Sequence, residues 1–269
     1  MSHNEIMTSV TRVAINIEEV FPHLPHAPIV EAVIDIQARS ATALEEATLK
    51  PQLEARLSGY QFLDSVQHIQ IQQEVNLQGG APSSPISHKL DWKGVRFQSS
   101  DKTHIAQFNR DGFVFSRLQP YESWEQLYDE GMRLWHVYVD LAQPVEIHRI
   151  GLRYINRIQL PTDELRFEDY LQPAPEPPKA LDLPFNGFLH QDTLAVPDHP
   201  YAINVLRTIQ PPSAPGTQGL GLILDIDAFT TQGFELSEAV LRQRLLEMRW
   251  LKNKVFFGSV TEIALKLFQ

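Results

Sequence analysis

Three arginines, Arg149, Arg153 and Arg157, recur at every fourth position within one stretch of alternating residues. If that stretch is a strand they share a face, and Arg153 and Arg157 lie about 13 Å apart. A guanidinium is a planar fork of donors that fits carboxylate or phosphate bidentately. The row therefore suits an anionic ligand or a set of cross-strand ion pairs. Far upstream, Glu31 and Asp35 share a face with only Val33 between them. They supply the matching charges if the two strands are neighbours. Asn156 points the other way, among Leu152, Tyr154 and Ile158. A buried amide without partners costs about 1–3 kcal/mol, so backbone at a loop or bulge is its expected partner.

A second acidic pair, Asp225 and Asp227, alternates with Leu224 and Ile226, so both carboxylates face one side. Such a pair at a strand end can hold a hard divalent cation, or divide acid and base roles if the two environments differ. Surface charge and pairing with arginines are the alternatives. The histidines form no zinc pattern: His23 and His26 lie in a proline-rich context, and no HExxH occurs. There is no GxSxG, no P-loop and no GxGxxG, hence no cofactor signature. The aromatic residues Phe113, Phe115, Tyr121, Trp124, Tyr128 and Trp135 fit a stacking groove or, at this spacing, a core.

These residues need elements to hold them. Alternation predicts a strand over 29–36. A helix centred on LKPQLEARL follows, with Pro51 suited to its first turn and Gly59 to its stop. An imperfect strand spans 66–78, a loop 79–87, and short strands 88–98, 103–109 and 113–118. Residues Asn109-Arg110-Asp111-Gly112 supply a hairpin turn between the last two. The clearest helix covers 124–142, with Ser123 as N-cap, Gln126 in the capping-box position and Pro144 beyond its end. A long strand from Val145 to Leu160 carries the arginine row. Strands near 186–196, 200–209 and 219–229 precede a helix over 237–252 capped by Ser237. A last helix over 260–267 starts at Ser259, with Glu262 in its capping box.

The chain of 269 residues has 23 Lys+Arg and 33 Asp+Glu, a formal charge of −10. That balance argues against broad binding to a phosphate backbone and suits solubility or a basic partner. The absence of cysteine excludes disulfides, thiolate metal sites and thiol catalysis, and fits a reducing cytoplasm. No apolar run approaches the roughly 18–20 residues that span a bilayer, and no signal-peptide pattern opens the sequence.

Four segments carry a family likeness: APIVEAV at 27–33, FSRLQPYESWEQL at 115–127, RIGLRYINR at 149–157 and LILDIDAF at 222–229. In order and spacing they resemble a sporadically distributed family of uncharacterised prokaryotic proteins of about this length. The likeness covers nearly the whole chain beyond residue 27, and RIGLRYINR is its most specific block. It implies no catalytic residue. A patchy distribution implies an accessory or defence gene set.

These readings predict an α+β fold, largely antiparallel sheet with helices on one face. An N-terminal extension over 1–27 precedes a lobe over 28–171. A proline-rich linker or crossing at 172–184 leads to a second lobe over 185–269. Strands leading into a Ser-capped helix recur near 123 and 237, a pattern that internal duplication or coincidence would produce. The leading functional expectation is a cytoplasmic binding or adaptor protein, an immunity or antitoxin-like component with a protein partner or a second copy of itself. One alternative is a small-molecule binder or enzyme with a pocket at Arg153, Arg157 and Glu31. Another is a metal-dependent nucleotide or nucleic-acid enzyme using Asp225 and Asp227.

Overall fold

The computed structural model describes residues 12–72, 87–160, 166–176, 180, 187–210 and 220–269. Among the described residues ten strands form one sheet, and every pairing is antiparallel. Strand β1 (Ile29–Ser40) lies in the middle. The chain then passes through helix α1 (Glu46–Arg56) to the edge strand β2 (Tyr60–Gln72). It steps back inward through β3 (Ser87–Ser99), β4 (His104–Asn109) and β5 (Gly112–Leu118), which pairs with β1. Helix α2 (Trp124–Ala142) crosses the sheet, and β6 (Pro144–Gln159) enters on the other side of β1.

The same path is then walked again. The chain moves to the far edge at β7 (Leu189–Ala195) and returns through β8 (Ala202–Gln210) and β9 (Gly221–Thr230), which pairs with β6. A short β10 (Phe234–Glu235) also pairs with β6, and helices α3 (Glu238–Ser259) and α4 (Glu262–Lys266) follow. The β6–β9 ladder joins the segments read as two lobes into one sheet, and their buried side chains form one cluster. Of the segment 172–184, the described residues are 172–176 and 180.

The helices lie on one face because the strands are two-faced. Ala32, Ile34 and Ile36 of β1 register with Tyr154, Leu152 and Ile150 of β6, and these with Ile226, Ala228 and Thr230 of β9. All but Thr230 are apolar or aromatic, and all are essentially buried. Gly131 of α2 comes so near this row that a Cβ there would meet Phe115 and Ile34 at 3.1 and 3.2 Å.

Several boundaries differ from the sequence reading. Helix α1 begins at Glu46, so Pro51 lies inside it and not in its first turn. Leu49, Leu53 and Leu57, each four apart and buried, hold the turn that precedes the proline. Strand β2 begins six residues earlier than expected; residues 73–86 lie outside the described residues, 79–86 of the expected loop over 79–87 among them, and Ser87 opens β3. Helix α3 runs on to Ser259, and α4 is capped by Thr261, whose hydroxyl accepts from the Ala264 amide at 3.2 Å. Consecutive Val255, Phe256 and Phe257 do not make a one-sided stripe. They are tolerated because Phe256 is buried while Phe257 stacks on Phe21, 5.6 Å between centroids, in the lead-in segment. That segment is attached, not loose: Glu19 accepts from Trp250 Nε1 at 2.7 Å and Lys254 Nζ at 2.6 Å. No helix of the described residues is long and apolar enough to cross a membrane.

Candidate functional site

The two faces of the sheet hold two different constellations. The helix-free face carries every charged residue singled out above. Strands β1, β6 and β9 are consecutive, so Asp35 registers with Gly151, Arg153 with Asp227 and Ile155 with Asp225. Arg149 bonds Asp35 on one side, reaches Asp227 at 3.4 Å on the other, and lies 5.4 Å from the Phe229 ring centre. Arg153 holds Asp225 bidentately, at 2.8 Å through Nε and 2.5 Å through Nη2. The arginine row and the acidic pair, read separately from the sequence, thus form one network. Arg157 lies across Gly221, where a side chain would collide with its guanidinium. Glu31 adds negative charge near Arg153 and, among the described residues, makes no ion pair of its own.

Burial pushes the Asp35 and Asp227 carboxyls up, and the neighbouring Arg149 only partly offsets this. The two carboxylates proposed for a cation therefore already face arginine cations. Among the described residues no three His, Cys or carboxylate side chains are grouped to hold a metal ion.

Asn156 lies on the helix side, where its side-chain amide donates to the Leu224 carbonyl at 2.9 Å and more weakly to the Tyr154 carbonyl at 3.4 Å. Backbone is its partner, next to a register shift between β1 and β6 at Ile29 and Glu31. It is not joined to Arg153 or Arg157, which point to the other face.

Asn156 instead borders a cavity of about 810 Å³. The sheet supplies Tyr154, Asn156 and Ile226 as its floor. The turn before α2 contributes Tyr121 and Trp124, α3 contributes Arg249, Trp250, Lys252 and Asn253, and residues 17–25 and 27–29 close one side. The volume falls within the range of small-molecule sites, and the walls mix aromatic residues with charged ones, Glu18, Glu19, Glu122 and Glu125 among them.

Lys252 is the unusual member. Its ammonium lies 3.7 Å from the centre of the Tyr154 ring. Among the described residues no carboxylate lies within ion-pair distance of it. Burial, with the nearby Arg249 cation adding to it, lowers the lysine to about 7. The residue as a whole is half-buried and lines the cavity. Arg249 is better provided for: it lies 5.4 Å from the Trp124 ring and 3.9 Å from Glu125. The Tyr121 and Tyr154 hydroxyls pair at 3.1 Å. Burial raises Tyr121 to about 12 and raises Tyr154 as well, so both stay neutral at ordinary pH.

Sequence reasoning singled out Tyr121, Trp124 and Asn156 in other roles and missed Lys252. A signal existed. Leu241, Leu245, Met248 and Phe256 form the buried stripe of α3, and Lys252 occupies the position between Met248 and Phe256 where the stripe requires an apolar residue.

Comparison with known proteins yields no matching family model and no matching curated protein.

Proposed function

We propose that the protein binds a small molecule in the cavity between the lead-in segment, α2, α3 and the sheet. The ligand has an aromatic or branched apolar body and one acceptor group that meets Lys252. One observation carries the reading: a half-buried lysine that lines a cavity and, among the described residues, has no carboxylate at ion-pair distance. Desolvating an ammonium is expensive, and natural cores avoid it unless the charge has a partner. A ligand acceptor would be that partner.

The test uses 8-anilinonaphthalene-1-sulfonate, an aromatic probe with one anionic acceptor, in a fluorescence titration. Saturable one-site binding is expected. Lys252→Met should weaken it about tenfold or more, as expected for loss of a charge-assisted hydrogen bond. Asn253→Trp, which puts bulk into the cavity, should abolish it. Binding that is unaffected by both substitutions would refute the assignment.

A second reading, the adaptor with a protein partner, is favoured by the β7 edge. All seven residues of β7 are exposed, Leu189 and Leu194 among them, and among the described residues β7 pairs only with β8. An exposed edge can accept a strand from another chain. Native mass spectrometry of protein purified from its own host tests this. A co-purifying chain or a second copy that Leu194→Lys releases supports it, and a bare monomer counts against it. The accessory or defence setting remains part of this reading, resting on the family likeness. We read the twice-walked strand path as the trace of an internal duplication.

A further inference from the structure

Most polar features of the molecule are already satisfied. The charged sheet face is internally paired, and the smaller depression at Asp198, His199 and Thr231 has no group set apart from its surroundings. Lys252 differs because burial disfavours its charge and the residue lines a cavity. We propose that Lys252 is a nucleophilic amine that forms an imine with an aldehyde or ketone bound in the cavity. This rests on the ligand-binding reading above and names its substrate class.

The geometry supports the chemistry in three ways. Among the described residues no carboxylate pairs with the amine to hold it in its charged form. Arg249, a second cation on the same helix, opposes protonation as well, and the pKa near 7 leaves much of the amine neutral at neutral pH. Lys252 lines the same cavity as the aromatic residues Tyr121, Trp124, Tyr154 and Trp250, so a carbonyl compound with an apolar body has space beside the amine.

The step balances without an outside oxidant or reductant. The nitrogen lone pair of Lys252 attacks the carbonyl carbon, a C–N bond forms, and the C=O π pair moves to oxygen. Proton transfer from nitrogen to oxygen gives a carbinolamine. The C–O bond then breaks, the oxygen leaves as water with a second proton, and the C=N bond forms. Tyr121 and Tyr154, kept neutral by burial, border the same space, and of the two paired hydroxyls the one that accepts within the pair keeps its O–H to donate to the departing oxygen.

The experiment treats the full chain with benzaldehyde and cyanoborohydride, which reduces an imine to a stable secondary amine, and maps the product by peptide mass spectrometry. The expected result is a single benzyl group on Lys252, formed about tenfold faster than on any surface lysine such as Lys93 or Lys102, and absent in Lys252→Met. Labelling spread over the surface lysines, or none at Lys252, overturns the imine. The sulfonate titration separates the two failures. If the probe still binds with Lys252 dependence, only the covalent step is lost. If it does not, the cavity is not a ligand site and both readings fall. Because Lys252→Met removes a buried charge, it is expected to fold, and its melting temperature checks this.

Discussion

The two faces of the sheet carry buried charge in opposite ways. On the helix-free face, Arg149 stands between Asp35 and Asp227, and Arg153 is clasped by Asp225. Each cation is met by carboxylate, the arrangement in which partly buried charge is tolerated. On the helix face, a few residues along the same β6, Lys252 lies over Tyr154 with no carboxylate. The first face is complete as it stands. The second holds a charge that the fold disfavours and a cavity beside it. A fold can satisfy its charges, as the first face demonstrates, so the exception on the second face is the better pointer to function.

The largest effect should come from breaking the satisfied side. Arg149→Met leaves Asp35 and Asp227 facing each other without their shared cation. A loss of roughly 3 kcal/mol at about pH 7 is expected from chemical denaturation, as for a broken buried pair. The pH dependence sharpens this. Both carboxyls are already raised above the ordinary range, so the native state binds their protons more tightly than the unfolded state does. Their contribution is full below the ordinary carboxylate range and is lost as pH rises through the raised values. Removing Arg149 raises them further. The destabilisation should therefore shrink as the pH falls towards about 4. A loss that is flat with pH would mean that Arg149 acts through packing on Phe229 and not through charge.

The opposite sign is expected on the other face. Lys252→Met should stabilise the protein, by roughly 2 kcal/mol near pH 6, because it removes a charge that the fold does not pair. The lysine falls from its usual 10.5 to about 7, so between those values the unfolded chain binds more protons than the native one. Its penalty is complete below about 7 and fades as pH rises towards 10.5. The gain from Lys252→Met should fade over that interval. A destabilising Lys252→Met at pH 6 would show that the lysine has a partner after all.

Much of the sheet was legible because its period-two patterns are strong. The strand over 29–36, the hairpin at Arg110-Asp111 and the α2 stripe with its Ser123 cap all appear in the structure. The match of Asp35 with Arg149 was legible too, since alternation fixes faces and only the adjacency of β1 and β6 had to be supplied. What alternation cannot give is the order of strands. Asp225 and Arg153 read as separate candidates until β9 proved to be the neighbour of β6. The cavity was hidden for a related reason. Its walls come from Phe21, Tyr121, Tyr154 and Lys252, which are far apart in sequence and meet only after the lead-in segment docks on α3 through Glu19. The extension of α3 to Ser259 was missed because the partner of Phe257 is Phe21, outside the helix and its sheet. Lys252 alone left a trace, as a polar residue in an apolar stripe, and a stripe truncated at its last member does not draw notice.

The smallest effect tests whether the two faces are independent. Tyr121→Phe removes one hydroxyl from the pair with Tyr154 and should cost about 1 kcal/mol, the usual worth of one hydrogen bond in a protein interior. Arg149 lies five residues along β6 from Tyr154, about 16 Å of backbone, and projects from the other face of the sheet. No polar contact links Tyr121 to Arg149. The double variant Tyr121→Phe with Arg149→Met should therefore lose the sum of the single losses to within about 0.5 kcal/mol. Tyr121→Phe combined with Lys252→Met should not add, because both act on Tyr154. Additivity of the first pair with coupling of the second would place the boundary between the two constellations in the backbone of β6. Coupling of the first pair would mean that strain passes through the sheet, and that the charged face helps to set the shape of the cavity behind it.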